Sequence, residues 1–234
     1  EAINVMGAWE KLQNNKDRVK PVNLGLVDCG FEVDHEDLKG IYAEVFYDGK
    51  TNGVDAADRG HGTHVSGTMA ANCDNLTGIC GVYPYGKGRL YGVSLGGDQK
   101  WGGVNAYAEN KGYLNSIMSQ KIAYAELIVR NVKVINQSQG FNWYVNKYLK
   151  KDDQGNEYVE YDEVKKWWDD PLNFFDQTRI VTDLSDFFQR MIDNGYDFVI
   201  VTGAGNDSHP SIGHLDARYA SWLTLIPRMV YTEV

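Results

Sequence analysis

The chain has 234 residues, 43% of them hydrophobic, and a formal net charge of −9. That length suits one α/β domain with a sizeable core, or two small domains. The acidic balance argues against a nucleic-acid partner, which needs a basic face. No apolar run approaches the ~20 residues that would span a bilayer.

Val5–Gln13 (VMGAWEKLQ) carries apolar residues at helical spacing, and Asn14–Lys20 is a polar turn. Val22–Val27 is a short apolar run between Pro21 and Gly30, the pattern of a buried parallel strand. A loop follows (FEVDHEDLKG), and from His61 (HGTHVSGTMAANC) the chain reads as a helix entered through a glycine turn. Arg89–Leu95 predicts a second strand, Ser116–Val129 a helix and Val132–Gln137 a third strand. Leu184–Asp193 is amphipathic and stops at Asn194–Gly195, where Gly195 suits a helix C-cap. Phe198–Thr202 predicts a fourth strand. Gly96–Asn115 and Phe141–Ile180 break the alternation and read as loop insertions.

Strands alternating with helices imply an α/β fold: a doubly wound, mostly parallel sheet with right-handed crossovers and helices on both faces. Such sheets bind ligands at the carboxyl ends of their strands. Asp28, Ser138 and Asn206 all fall just past predicted strand ends, so three separate segments bring polar groups to one edge.

The order of those groups is chemically specific. A serine hydroxyl is a poor nucleophile until a base takes its proton, and a histidine can take and return it. A buried carboxylate on the far ring nitrogen fixes the tautomer. Asp28 and His61 suit those two roles, and Gly60 and Gly62 let the backbone turn sharply around His61. The Asn206 amide, at a strand end, can donate to a developing oxyanion. His61 and His64 stand three apart, a spacing metals use, but the motif holds no further ligand, so no metal is assigned there. His64 reads as a buried structural histidine. Cys73 and Cys80 flank a short turn and stand either as a disulfide or as two free thiols, and Cys29 reads as a small core-facing residue.

These segments resemble the subtilisin-like serine proteases, the subtilase family. Asp28 in VDCG matches the aspartate motif of that family, and His61 in GHGTHVSGT matches its histidine motif almost letter for letter. Ser138 in VINQSQG matches the strand lining the first specificity pocket, and Asn206 in GAGND the oxyanion asparagine. His35 and Leu38 match the segment after the aspartate, with Glu36 where proline is usual. The resemblance implies a serine endopeptidase acting on a peptide or protein substrate, of bacterial type and secreted or at the cell surface. Its catalytic groups would be Asp28, His61 and Asn206. The peptide would lie along Ser138, Gln139 and Gly140, and Gly203, Ala204 and Gly205 would also bind substrate. No cofactor is required. Residues 72–79 match the calcium loop of the family in position, with Asp37, Asp74 and Asn75 as weak candidate ligands. The segment is one residue longer than usual and lacks the N-terminal residues that complete the site, so calcium stands as an option.

One departure bears on activity. The nucleophile of the family lies in a Gly-Thr-Ser-Met-Ala-like segment, and Ser208, Ser211 and Ser221 have no such flanks. The expectation is therefore the N-terminal part of a catalytic domain, inactive alone, with the alternative of a non-catalytic peptide-binding scaffold on the same fold.

Overall fold

One strand sets the architecture. In β1 (Asn23–Cys29), Leu24 and Leu26 belong to one apolar cluster, with Phe31, Leu38, Ile41, Ala70 and Leu90. Val27 belongs to another, with Tyr124, Leu127, Ile135, Phe188 and Ile200. Successive side chains of a strand point to opposite faces, so both faces of β1 are buried, as in a parallel sheet covered by helices.

The computed structural model describes residues 3–46, 60–96, 113–138, 149–155, 157–159, 171–203 and 228–232. After β1 come a 3₁₀ turn (Glu36–Leu38), β2 (Tyr42–Phe46), α2 (Gly60–Ala70), β3 (Leu90–Gly96), α3 (Tyr113–Val129) and β4 (Val132–Gln137). They are followed by β5 (Leu149–Lys151), β6 (Glu157–Val159), α4 (Pro171–Asp193), β7 (Val199–Gly203) and β8 (Met229–Thr232), and α1 (Val5–Asn14) precedes them all. Among the described residues, six strands form a parallel sheet in the order β2-β3-β1-β4-β7-β8, and β5 and β6 form a separate antiparallel pair.

The 3₁₀ turn supplies Leu38 and α2 supplies Ala70 to one face of the sheet, and Ala71 follows directly. Across it, α3 supplies Tyr124, Leu127 and Ile128, and α4 supplies Leu184 and Phe188. Gly25 lets α3 come close: a Cβ there would stand 2.9 Å from Leu127 Cδ1 and 2.9 Å from Val132 Cγ1. The first helix is peripheral. Asn4 caps it by accepting from the Gly7 amide at 3.0 Å, and Trp9 Nε1 donates to the Val82 carbonyl at 2.8 Å.

The expected α/β sheet is present, and the predicted strands and helices fall within a few residues of the observed ones. Three features differ. β2 lies beyond the expected loop, in a stretch where the sequence predicts no element: it is a five-residue edge strand interrupted by Glu44, too short and too polar to stand out. Residues expected as an insertion include the β5–β6 pair and the first half of α4, which opens on Pro171, a favoured first helical residue. Asp28 lies inside β1, next to its last residue, where the pairing with β3 shifts register. Gly195 does end α4, at φ +85 with its amide donating to Ile192 O at 2.8 Å.

Leu127 is fully buried between the sheet and α4. Leu127→Ala should lower unfolding free energy by about 2–5 kcal/mol, since it removes core contacts and leaves a cavity. Urea denaturation checks this, and a loss below about 1 kcal/mol would mean that α3 does not pack as described.

Candidate active site

Strand parity aims the carboxylate. Asp28 follows Leu24 and Leu26 at two-residue steps, so it faces the side of the sheet that α2 covers. His61 stands in the first turn of α2, and its Nδ1 lies 2.5 Å from Asp28 Oδ1. Asp28 is 0% exposed, whereas the His61 side chain is 53% exposed. One end of the ring is held from below and the rest is open to solvent. Gly30, at φ +69, turns the chain immediately after β1. The Glu32 amide then donates to Thr63 Oγ1 at 2.8 Å, which ties the turn after β1 to α2 within two residues of His61.

The sheet places further groups in the same row. Leu26 pairs with Asn136, and Gln137 pairs with Thr202. Continuing both registers sets Asp28, Ser138 and Gly203 level across β1, β4 and β7. After β1 the chain builds β2 and β3 on one side, then crosses to β4 on the other. The β1–β4 boundary is therefore the switch point at which open α/β sheets bind ligands. Ser138 is exposed at the end of β4 and accepts a hydrogen bond from Asn136 Nδ2 at 2.8 Å. Beneath it, the buried Gln137 accepts from the hydroxyl of fully buried Tyr124. Sequence reasoning missed this pair. Tyr124, Leu127 and Ile128 mark the buried face of α3, but periodicity cannot say where a phenol oxygen points.

Comparison with known proteins decides the family. A model of the subtilase family matches residues 20–225, nearly the whole chain. The chain belongs to the subtilase family. It is 40% identical over 75 residues to subtilisin DY of Bacillus licheniformis, covering 32% of this chain and 26% of that protein. It is 37% identical over 125 residues to the major intracellular serine protease of Bacillus subtilis (strain 168), covering 47% of this chain and 37% of that protein. Among solved structures, the epidermin leader peptide processing serine protease of Staphylococcus aureus is 16% identical with a TM-score of 0.46, covering 95% of this chain and 51% of that one.

In this subtilase, then, the structure brings together Asp28 and His61 and sets Ser138 and Gly203 level with them. Gln139, Gly140, Ala204, Gly205 and Asn206 lie outside the described residues, as do Ser208, Ser211 and Ser221. The side chain of Cys29 is also outside them. His64 is exposed, contrary to the buried role expected of it, because the buried face of α2 is the one that carries Gly62, Ser66 and Ala70. With Glu32, His35, Leu38, Gly67 and Ile79 it lines a pocket of about 550 Å³ beside α2. Among the described residues, no group of three or more His, Cys, Asp or Glu side chains could hold a metal ion, and no helix is long and apolar enough to cross a membrane.

Two of the calcium candidates, Asp37 and Asn75, have other partners. Asp37 Oδ1 accepts from Asn75 Nδ2 at 2.9 Å, and Asp37 Oδ2 accepts from the Ile79 amide at 2.8 Å. Asn75 Oδ1 accepts from the Thr77 amide at 3.1 Å, so the donor end of the Asn75 side chain faces the carboxylate. A divalent cation needs oxygens converging on one point. Here N–H groups converge on Asp37, and the residues as arranged do not fit the ion.

Burial raises the ionisation of Tyr124 well above the usual phenol value of 10.0, so it remains a donor to Gln137. Tyr124→Phe keeps the ring, which meets Phe188 edge-on at a 5.1 Å centroid distance, and strips Gln137 of that partner. The expected cost is about 1–3 kcal/mol at neutral pH. A phenol held protonated in the folded state stabilises fully below pH 10 and progressively less as rising pH ionises the unfolded chain. Stability of the parent should therefore fall more steeply above pH 10 than that of the variant, and parallel curves from denaturant midpoints would contradict the assignment.

Proposed function

We propose that this chain carries the base-and-orienter half of a serine endopeptidase. His61 Nε2 would take the proton of a serine as it attacks the peptide carbonyl, then return it to the leaving amine. Asp28, holding Nδ1, would fix the tautomer and stabilise the imidazolium. Asn206, three residues beyond Gly203, would donate to the carbonyl oxygen as it becomes negative. The peptide would lie as an added strand along Ser138–Gly140, with Gly203–Gly205 opposite. The observation that carries this is the 2.5 Å contact between a wholly buried carboxylate and a half-exposed imidazole at the switch point of the sheet. Membership of the subtilase family supports it.

None of the serines in these 234 residues stands in a Gly-Thr-Ser-Met-Ala-like segment, so the nucleophile is assigned to polypeptide outside them. The chain spans 26% and 37% of the two curated relatives described above. A secreted or cell-surface location is part of the proposal. The Cys73–Cys80 disulfide favours an oxidising compartment, although two relatives are named as intracellular. The second reading is a peptide-binding scaffold on the same fold, favoured by the same lack of a serine segment.

A serine-directed fluorophosphonate separates the two. The 234-residue chain should form no adduct, whereas a longer gene product bearing the serine segment should label stoichiometrically and cleave peptides. In that product His61→Ala should lower kcat by at least about 10²–10⁴-fold with little change in KM, because the base acts in the transition state. An adduct on Ser208, Ser211 or Ser221, or wild-type turnover in His61→Ala, would overturn the assignment. A longer product that binds peptide without labelling would establish the scaffold.

A further inference from the structure

Residues 72–80 form a loop that its own backbone does not favour. Asp74 (φ +60), Leu76 (φ +61) and Gly78 (φ +56) are all left-handed, and two of them carry side chains. A non-glycine residue in that region costs of order 1–3 kcal/mol and persists only when its surroundings enforce it. Leu76 is fully exposed, so packing of its side chain does not enforce it.

Two other features do. Asp37, 3% exposed, reaches into the loop and accepts from Asn75 Nδ2 and from the Ile79 amide. Its backbone carbonyl accepts from the amide and the side chain of Asn72, at 3.1 and 3.2 Å. The fit is close: a Cβ on Gly78 would stand 2.2 Å from Asp37 Oδ2, so only glycine is accommodated there. At the base of the loop, Cys73 and Cys80 are disulfide-bonded with their Cα atoms 4.5 Å apart. This settles the pairing that sequence left open.

We propose that this loop is locked by a carboxylate clasp and a disulfide in place of a bound calcium ion, so that its order depends on oxidation and is indifferent to calcium. Asp37 supplies to N–H donors the negative charge that a cation would otherwise draw. The disulfide holds the loop ends that a cation would otherwise gather. The loop continues directly from α2, and the Gly81, Val82 and Tyr83 amides donate back to Ala71 O, Thr68 O and Met69 O at the end of that helix. The lock therefore also braces the helix that carries His61. The inference is independent of the proposed catalytic role, since it concerns only the order of the loop.

The test is thermal melting of the 234-residue chain together with amide hydrogen exchange across 72–82. Millimolar calcium or EDTA should shift Tm by less than about 1 °C. Reduction, or Cys73→Ser with Cys80→Ser, should lower Tm by about 5 °C or more, the scale expected for opening a loop of this size in a chain of this length. Asp37→Asn would present an amide to N–H donors, and should speed exchange of the Ile79 amide at least tenfold with calcium present or absent. A saturable rise in Tm with calcium that Asp37→Asn abolishes would overturn the proposal. So would unchanged Tm and exchange after reduction. If the cysteine variant failed to fold, exchange in Asp37→Asn with and without calcium would still decide the matter.

Discussion

The structure turns on a carboxylate buried at the edge of a parallel sheet. A charge removed from water costs several kcal/mol unless a partner and hydrogen bonds compensate it, and Asp28 is wholly buried with His61 as its close partner. That pairing needs Asp28 to face the same side as Leu24 and Leu26, and α2 to begin over the end of β1. A slip of one residue along β1 would turn the carboxylate toward α3 and the other apolar cluster. The buried leucines that fix the parity of β1 therefore also position the candidate site. Packing and chemistry are set here by the same alternation.

Most of the fold was legible because it rests on strong periodic signals. The apolar run at Val22–Val27 and the Val-rich segment at Val132–Gln137 read as strands, and the glycine-flanked His61 segment announced a helix start. β2 was not legible, because edge strands of mixed polarity carry no clean pattern. The early start of α4 was hidden in a charged, aromatic stretch that reads as irregular, although Pro171 marks its first turn.

At the site, Asp28 and His61 could be read from residue type, order and flanking glycines, and the structure joins them. The contacts that support the surrounding elements were less visible. The hydroxyl of Thr63 and the Tyr124–Gln137 pair depend on where side chains meet across elements distant in sequence, and no spacing rule records that. The calcium candidates show what position alone leaves out. The match of this loop in position to the calcium loop of the family suggests a cation, yet Asn75 turns its amide nitrogen to Asp37 and the loop closes on the carboxylate with the Ile79 amide. The sequence listed oxygens, and only the fold reveals which atoms face one another.

The joining of Asp28 to His61 is the claim on which the rest depends, and nitrogen-15 NMR of the histidines tests it in this chain. The account predicts that neutral His61 carries its proton on Nδ1, bonded to Asp28, with that proton far downfield of the other imidazole protons and displaced in Asp28→Asn. A His61 protonated on Nε2, with no resonance sensitive to Asp28→Asn, would contradict it.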